Sequence, residues 1–173
     1  MKWMLLIGVT VAAILALAAL VGSRLAQSHR AWREHTLAAS PEAIWMGITD
    51  VEAFPSWREI KKVQKLPDRD GRPVWVEEGR SGRITLAVER MEAPRLLVAR
   101  IADRDLPFGG TWTYELTPVA GGTRLKITED GEIYNPLFRF MARFIFGYEG
   151  TIASYMAALE KRFARNAGDT RKD

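Results

Sequence analysis

A chain of 173 residues with 47% hydrophobic and 27% charged content has the material for one domain with a sizeable core, which excludes a wholly disordered polymer. Its net charge of +4 is not a nucleic-acid signature: Lys2, Arg24 and Arg30 are the only charged side chains in the first 30 residues, and the rest carries 22 basic against 21 acidic groups. No cysteine is present, so disulfide frameworks, cysteine metal sites and thiol nucleophiles are excluded.

The chain opens with WMLLIGVTVAAILALAALVG, Trp3 to Gly22, 20 residues without a charge between Lys2 and Arg24. At about 1.5 Å per residue a helix of that length spans about 30 Å, the thickness of a hydrocarbon core. Residues 1–23 are therefore expected to be a transmembrane anchor. The competing reading is a cleaved leader, for which Ala16-Leu17-Ala18 offers a small-x-small site; the run is longer than the ~7 to 15 apolar residues of such a leader. Arg24, Arg30 and Arg33 on one side, against the amino terminus and Lys2 on the other, lean by a single charge towards a cytoplasmic domain. Residues 24–31 read as a polar linker short enough to hold the domain at the bilayer.

Trp32 to Ala39 has strand length. Ser40-Pro41-Glu42 then supplies a capping residue, a proline at the first helical position and an acid in the first turn, and predicts a helix to about Thr49-Asp50 with Ile44, Trp45 and Ile48 on one side. A second helical turn carries Phe54 and Trp57 around Pro55, and Arg58, Lys61, Lys62 and Lys65 read as a solvated charge run. Strand-length segments follow at Ile60 to Leu66, Val74 to Glu78, Arg83 to Met91 and Leu96 to Asp103, parted by turn chemistry.

From Gly110 to Glu132 two alternating runs flank Gly121-Gly122, with Trp112, Tyr114 and Leu116 on one parity of the first and Leu125 and Ile127 on one parity of the second: a hairpin with one apolar face. Asn135-Pro136 starts the last element, whose apolar residues Leu137, Phe140, Met141, Phe144, Ile145, Tyr148, Ile152, Tyr155, Met156, Leu159 and Phe163 keep the threes and fours of one helical face. One helix of about eight turns, to about Arg165, is predicted, with a bend or close approach at Gly147 and Gly150 and a disordered tail over 167–173. About seven strands joined by hairpins imply an antiparallel meander, and the helical stripe can be buried only against its apolar face.

This order, with SPEAIWMGITDVEAFPSW near the start and GTWTYELTPVAGGTRLKITEDGEIYNP before the last helix, resembles the START-like polyketide cyclase/dehydrase and lipid transport superfamily, also called SRPBCC. The resemblance covers roughly Trp32 to Arg165. It implies an α+β helix-grip fold: a curved antiparallel sheet around a long C-terminal helix, enclosing a deep, mainly apolar cavity. The family includes carriers of sterols and phospholipids, quinone-binding proteins, aromatic cyclases and chaperone cofactors, and no catalytic set unites them. The N-terminal anchor departs from the usual cytosolic members.

No catalytic constellation is legible. His29 falls in the linker and His35 in the first strand, which gives a histidine metal site no support, and nucleophile-elbow, dinucleotide and Walker patterns are absent. The Asp-Arg-Asp triplets at 68–70 and 103–105 read as turns. No cofactor, metal or nucleic acid is expected, and nothing in the pattern speaks to oligomeric state. The expected ligand contacts are mostly rings and apolar side chains, Trp57, Trp75, Phe108, Trp112, Tyr114, Phe138, Met141, Phe144 and Tyr148, with Arg83 as the one cation to hold an anionic or carbonyl end. The function expected is a membrane-tethered binder of a hydrophobic small molecule, a lipid, quinone or aromatic compound. The alternatives are a cyclase or dehydratase using the same cavity, which needs an inward acid or base, and an interaction module with an exposed apolar patch.

Overall fold

The computed structural model describes residues 2–80 and 82–169, and the side chains of those up to 164. Helix α1, Lys2–Arg24, is one helix long and apolar enough to cross a membrane, as a span or as a leader. Only Ala18 and Gly22 along it are buried. The first strand, β1 (Ser28–Leu37), begins four residues earlier than the sequence suggests and takes up half of the expected linker. Its inward positions hid the pattern: Arg33 and His35 meet acids, Glu149 just before the last helix and Glu160 on it.

Helix α2 (Pro41–Thr49) starts as its sequence dictates, with Ser40 Oγ accepting the Ala43 N–H at 3.2 Å. A 3-10 turn, Val51–Ser56, follows. Strands β2 (Ile60–Arg69), β3 (Arg72–Gly79), β4 (Gly82–Glu92), β5 (Leu96–Ile101), β6 (Phe108–Val119) and β7 (Gly122–Ile133) complete one antiparallel sheet in the order β1-β7-β6-β5-β4-β3-β2. Pro67 is tolerated in β2 because that strand is an edge, and the exposed Lys61, Lys62 and Lys65 guard it against further pairing. Register shifts in β2 and β4 bend the sheet.

The predicted single C-terminal helix is broken. Helix α3 (Pro136–Met141) is capped by Asn135, runs into a π-helical turn (Ala142–Phe146) and stops at Gly147, whose φ of 71° few other residues adopt. Helix α4 (Gly150–Asp169) then lies across the concave face. Residues 167–169 are thus helical, and 170–173 of the expected tail lie outside the described residues. Ile152, Tyr155, Met156 and Leu159 are the buried stripe of α4, packed with Ile44, Ile48, Leu116, Leu125 and Ile127 into one core. Arg33 meets Glu149, the residue before α4, at 3.0 Å, and His35 Nε2 lies 3.4 Å from Glu160 of α4, so exposed polar pairs line the β1 side of that helix. Helix α3 packs instead against the end of α1.

Candidate functional site

Alternation places Trp75 and Glu77 of β3, Leu86 of β4, Trp112 and Tyr114 of β6 and Glu129 of β7 on the concave face. Under α4 such residues should be sealed, yet Leu86, Trp112 and Tyr114 are only half-buried. Part of the reason is local. Gly110 and Gly131 face each other across β6 and β7 at the parity of Trp112 and Glu129, so that row contributes no side chain from either strand.

Tyr155 of α4 is the centre of the ring cluster. Trp57, Trp112 and Tyr114 surround it with centroids 5.4, 5.7 and 5.7 Å away. The cation here is Arg58, whose side chain is only 19% exposed. It stacks over the Phe54 and Tyr155 rings at 4.6 and 4.9 Å and donates a fork of two hydrogen bonds to Glu77, Nη1 to Oε1 at 2.8 Å and Nη2 to Oε2 at 3.0 Å. The Trp75 indole N–H donates to the same Oε1 at 3.0 Å. Burial lowers the Arg58 pKa, but Glu77, with the tyrosines adding to it, outweighs that and holds it above the ordinary value.

One donor in this cluster, Trp57 Nε1, has no partner, and the Tyr155 hydroxyl is met only by that of Tyr114. Burial raises the Tyr155 pKa to about 12 against the pull of Arg58, and burial also raises Tyr114 well above the usual phenol. Both phenols therefore keep their protons at neutral pH and can donate hydrogen bonds.

A second polar group lies on the same face. His29, expected in a linker, is an inward residue of β1; its ring lies across Gly131, where a β-carbon would approach Cε1 to 2.3 Å, and it stacks on Tyr148 at 4.1 Å. His29 Nε2 is 3.9 Å from Glu129 Oε1, and Nδ1 is buried without a partner. Burial lowers the His29 pKa, partly opposed by Asp130, and burial raises that of Glu129, opposed by the Trp112 N–H. Both groups thus lean towards their neutral forms. Among the described residues no three His, Asp or Glu side chains gather as metal ligands.

The sequence-predicted contacts divide. Trp57, Trp75, Trp112 and Tyr114 converge on the Arg58 and Tyr155 cluster, and Tyr148 covers His29. Phe108 is half-buried at the start of β6. Arg83 is exposed opposite Glu78, on the parity away from the core, so it is not the interior cation. Phe138 and Phe144 are 45% and 57% exposed, and with half-buried Met141 they belong to the α3 segment beyond the break. An open depression of about 1000 Å³ on the outer surface is lined by Arg72, Glu89, Arg100 and Asp103 among others, but these pair with each other or the backbone: Arg72 Nη1 donates to Glu89 O at 3.0 Å, Arg100 meets Glu89, and Asp103 Oδ1 accepts from Thr85 at 2.9 Å.

Comparison with known proteins places this architecture. The family described as polyketide cyclase/dehydrase and lipid transport matches residues 28–164. A START superfamily protein from Mycobacterium smegmatis superposes with a TM-score of 0.65 at 23% identity, over 79% of this chain and 98% of that one. The Zhui aromatase/cyclase from Streptomyces sp. R1128 gives 0.64 at 14% identity, over 81% and 96%. A norcoclaurine synthase from Thalictrum flavum gives 0.64 at 13%, over 81% and 96%. At these identities the likeness is one of fold. No curated protein matches the sequence.

Proposed function

We propose that this chain, which belongs to the polyketide cyclase/dehydrase and lipid transport family, is a membrane-anchored protein that holds a hydrophobic small molecule between its curved sheet and α4. The observation that carries the reading is the unpartnered Trp57 N–H beside the buried Tyr155 hydroxyl, which only the Tyr114 hydroxyl meets, under the half-open Trp112 and Tyr114 rings. Rings with a few fixed donors suit an apolar ligand that ends in a hydrogen-bond acceptor, such as a carbonyl or ester oxygen. Helix α1 supplies the tether, and the three residues between Arg24 and Ser28 keep the domain at the bilayer.

The test is native mass spectrometry of the full-length protein extracted from membranes. One apolar molecule of defined mass per chain is expected, lost in a Tyr155→Phe/Trp57→Phe variant. A bare chain that also takes up no fluorescent fatty acid or quinone analogue defeats the reading.

A second reading, acid–base chemistry in the same space, rests on the Glu129 and His29 pair. It predicts a product that differs from the molecule taken up in retention time and fragmentation, lighter by one water if it dehydrates and isomeric if it only cyclises, abolished by Glu129→Gln; a ligand recovered unchanged excludes it.

A further inference from the structure

We infer that the segment Pro136–Phe146 is a second membrane contact, a short arm lying in the boundary between lipid headgroups and acyl chains, with Phe144, Ile145 and Phe146 in the lipid. The inference rests on reading α1 as a membrane span.

The first support is where the arm sits. Ala18 and Gly22 are the only buried residues of α1, and α3 is the element packed on that helix. The approach is close: a β-carbon on Gly22 would fall 1.9 Å from the Pro136 carbonyl oxygen and 3.4 Å from Phe140 Cβ. Arg139 is buried at this junction and its Nη1 donates to Leu25 O at 2.9 Å, which caps the chain leaving α1. Ala18 lies about 9 Å below Arg24 along the helix axis. If Arg24 marks the surface, α3 is held at the depth of about 5–10 Å at which interfacial helices lie.

The second support is what the arm exposes. Phe144, Ile145 and Phe146 are 57, 63 and 67% exposed, three consecutive large apolar residues, with Phe138 close behind at 45%. In water such a patch is a liability, whereas beside a span it is continuous with the lipid-facing surface of α1, where Leu17 and Leu20 are equally bare. The charges agree. PLFRFMARFIF contains two arginines and no acid, and exposed Arg143, 5.8 Å from the Phe144 ring, can extend to the headgroups.

The absence of cysteine makes the test clean, since one introduced cysteine takes one probe. The full chain is reconstituted in phosphatidylcholine vesicles with a quarter as much phosphatidylglycerol, and an environment-sensitive fluorophore is placed on Ile145→Cys, on Leu6→Cys inside the span, or on Met46→Cys. Met46 is exposed on α2, where Gly47 packs on Phe163 near the far end of α4. With nitroxide-labelled lipid, quenching at positions 6 and 145 is expected to exceed that at 46 several-fold. Quenching at 6 but not at 145 overturns the arm and leaves the anchor standing. Quenching at neither overturns both. A probe at 145 that is shielded from aqueous iodide yet not quenched by lipid points to a protein partner, which also overturns the proposal.

Discussion

The most exacting consequence of the interior arrangement concerns Glu77. Replacing it with Gln keeps the shape but removes the charge that the Arg58 fork requires: one of the two oxygens becomes an N–H₂ group facing a donor, Arg58 Nη2 or the pair of Arg58 Nη1 and Trp75 Nε1. With both side chains at least four-fifths buried, 19% and 10% exposed, the guanidinium cannot recover its lost partner from solvent. Breaking one side of such a pair costs about 3–5 kcal/mol. For a chain of this length that is a fall in Tm of about 6–20 °C, read by near-ultraviolet circular dichroism of the tryptophans in detergent micelles. The double variant Arg58→Met/Glu77→Leu should recover most of the loss, because an apolar pair of similar volume removes the stranded charge and only the Trp75 N–H then lacks an acceptor, at about 1–3 kcal/mol. A loss below about 1 kcal/mol for Glu77→Gln refutes the argument, since that is the scale of a solvated surface pair.

Tyr155→Phe removes a buried hydroxyl met only by that of Tyr114, so the stability of the ligand-free protein should change by no more than about 1 kcal/mol in chemical denaturation while ligand affinity falls about tenfold; a larger loss of stability would mean that the hydroxyl is fully satisfied within the protein. Burial raises the Glu129 pKa, so its contribution to stability is complete below the unfolded value of 4.5 and is lost as pH rises through the folded one; wild type should lose stability relative to Glu129→Gln over that window, and equal slopes would refute it. His29 has the opposite sign: burial depresses its pKa, so stability present above 6.5 is lost as pH falls through the folded value, and His29→Gln should remove that loss from unfolding curves taken between pH 7 and 5. Gly22→Leu cannot fit beneath the Pro136 carbonyl and should lift α3 from α1, lowering lipid quenching at position 145 with the domain's own unfolding unchanged.

Where the sequence is legible, one period dominates. The β6–β7 hairpin alternates cleanly because its outer face is polar, and the stripe from Ile152 to Phe163 of α4 meets a continuous core. Where it misleads, a second constraint shares the segment. The apolar threes and fours run unbroken through Phe140, Phe144 and Tyr148, so the pattern carries no mark of the change in what is buried; only Gly147, at φ 71°, shows that the chain turns there. Arg58 looks like the first member of a lysine run. Its real partner was signalled across the sheet, since the inward parity that includes Trp75 also includes Glu77, and a carboxylate on an apolar face requires a nearby cation. His29 escaped because β1 turns polar residues inward, where Arg33 and His35 find Glu149 just before α4 and Glu160 on it.

The break at Gly147 then has a physical rationale that a continuous helix would lack. A straight helix from Pro136 would carry one stripe in one direction, and it could pack on the sheet or on α1 but not both. Interrupting it lets Ile152, Tyr155 and Leu159 face the sheet while Phe144 to Phe146 face away from it. The residue that follows the break, Tyr148, stacks on His29, whose ring lies across Gly131.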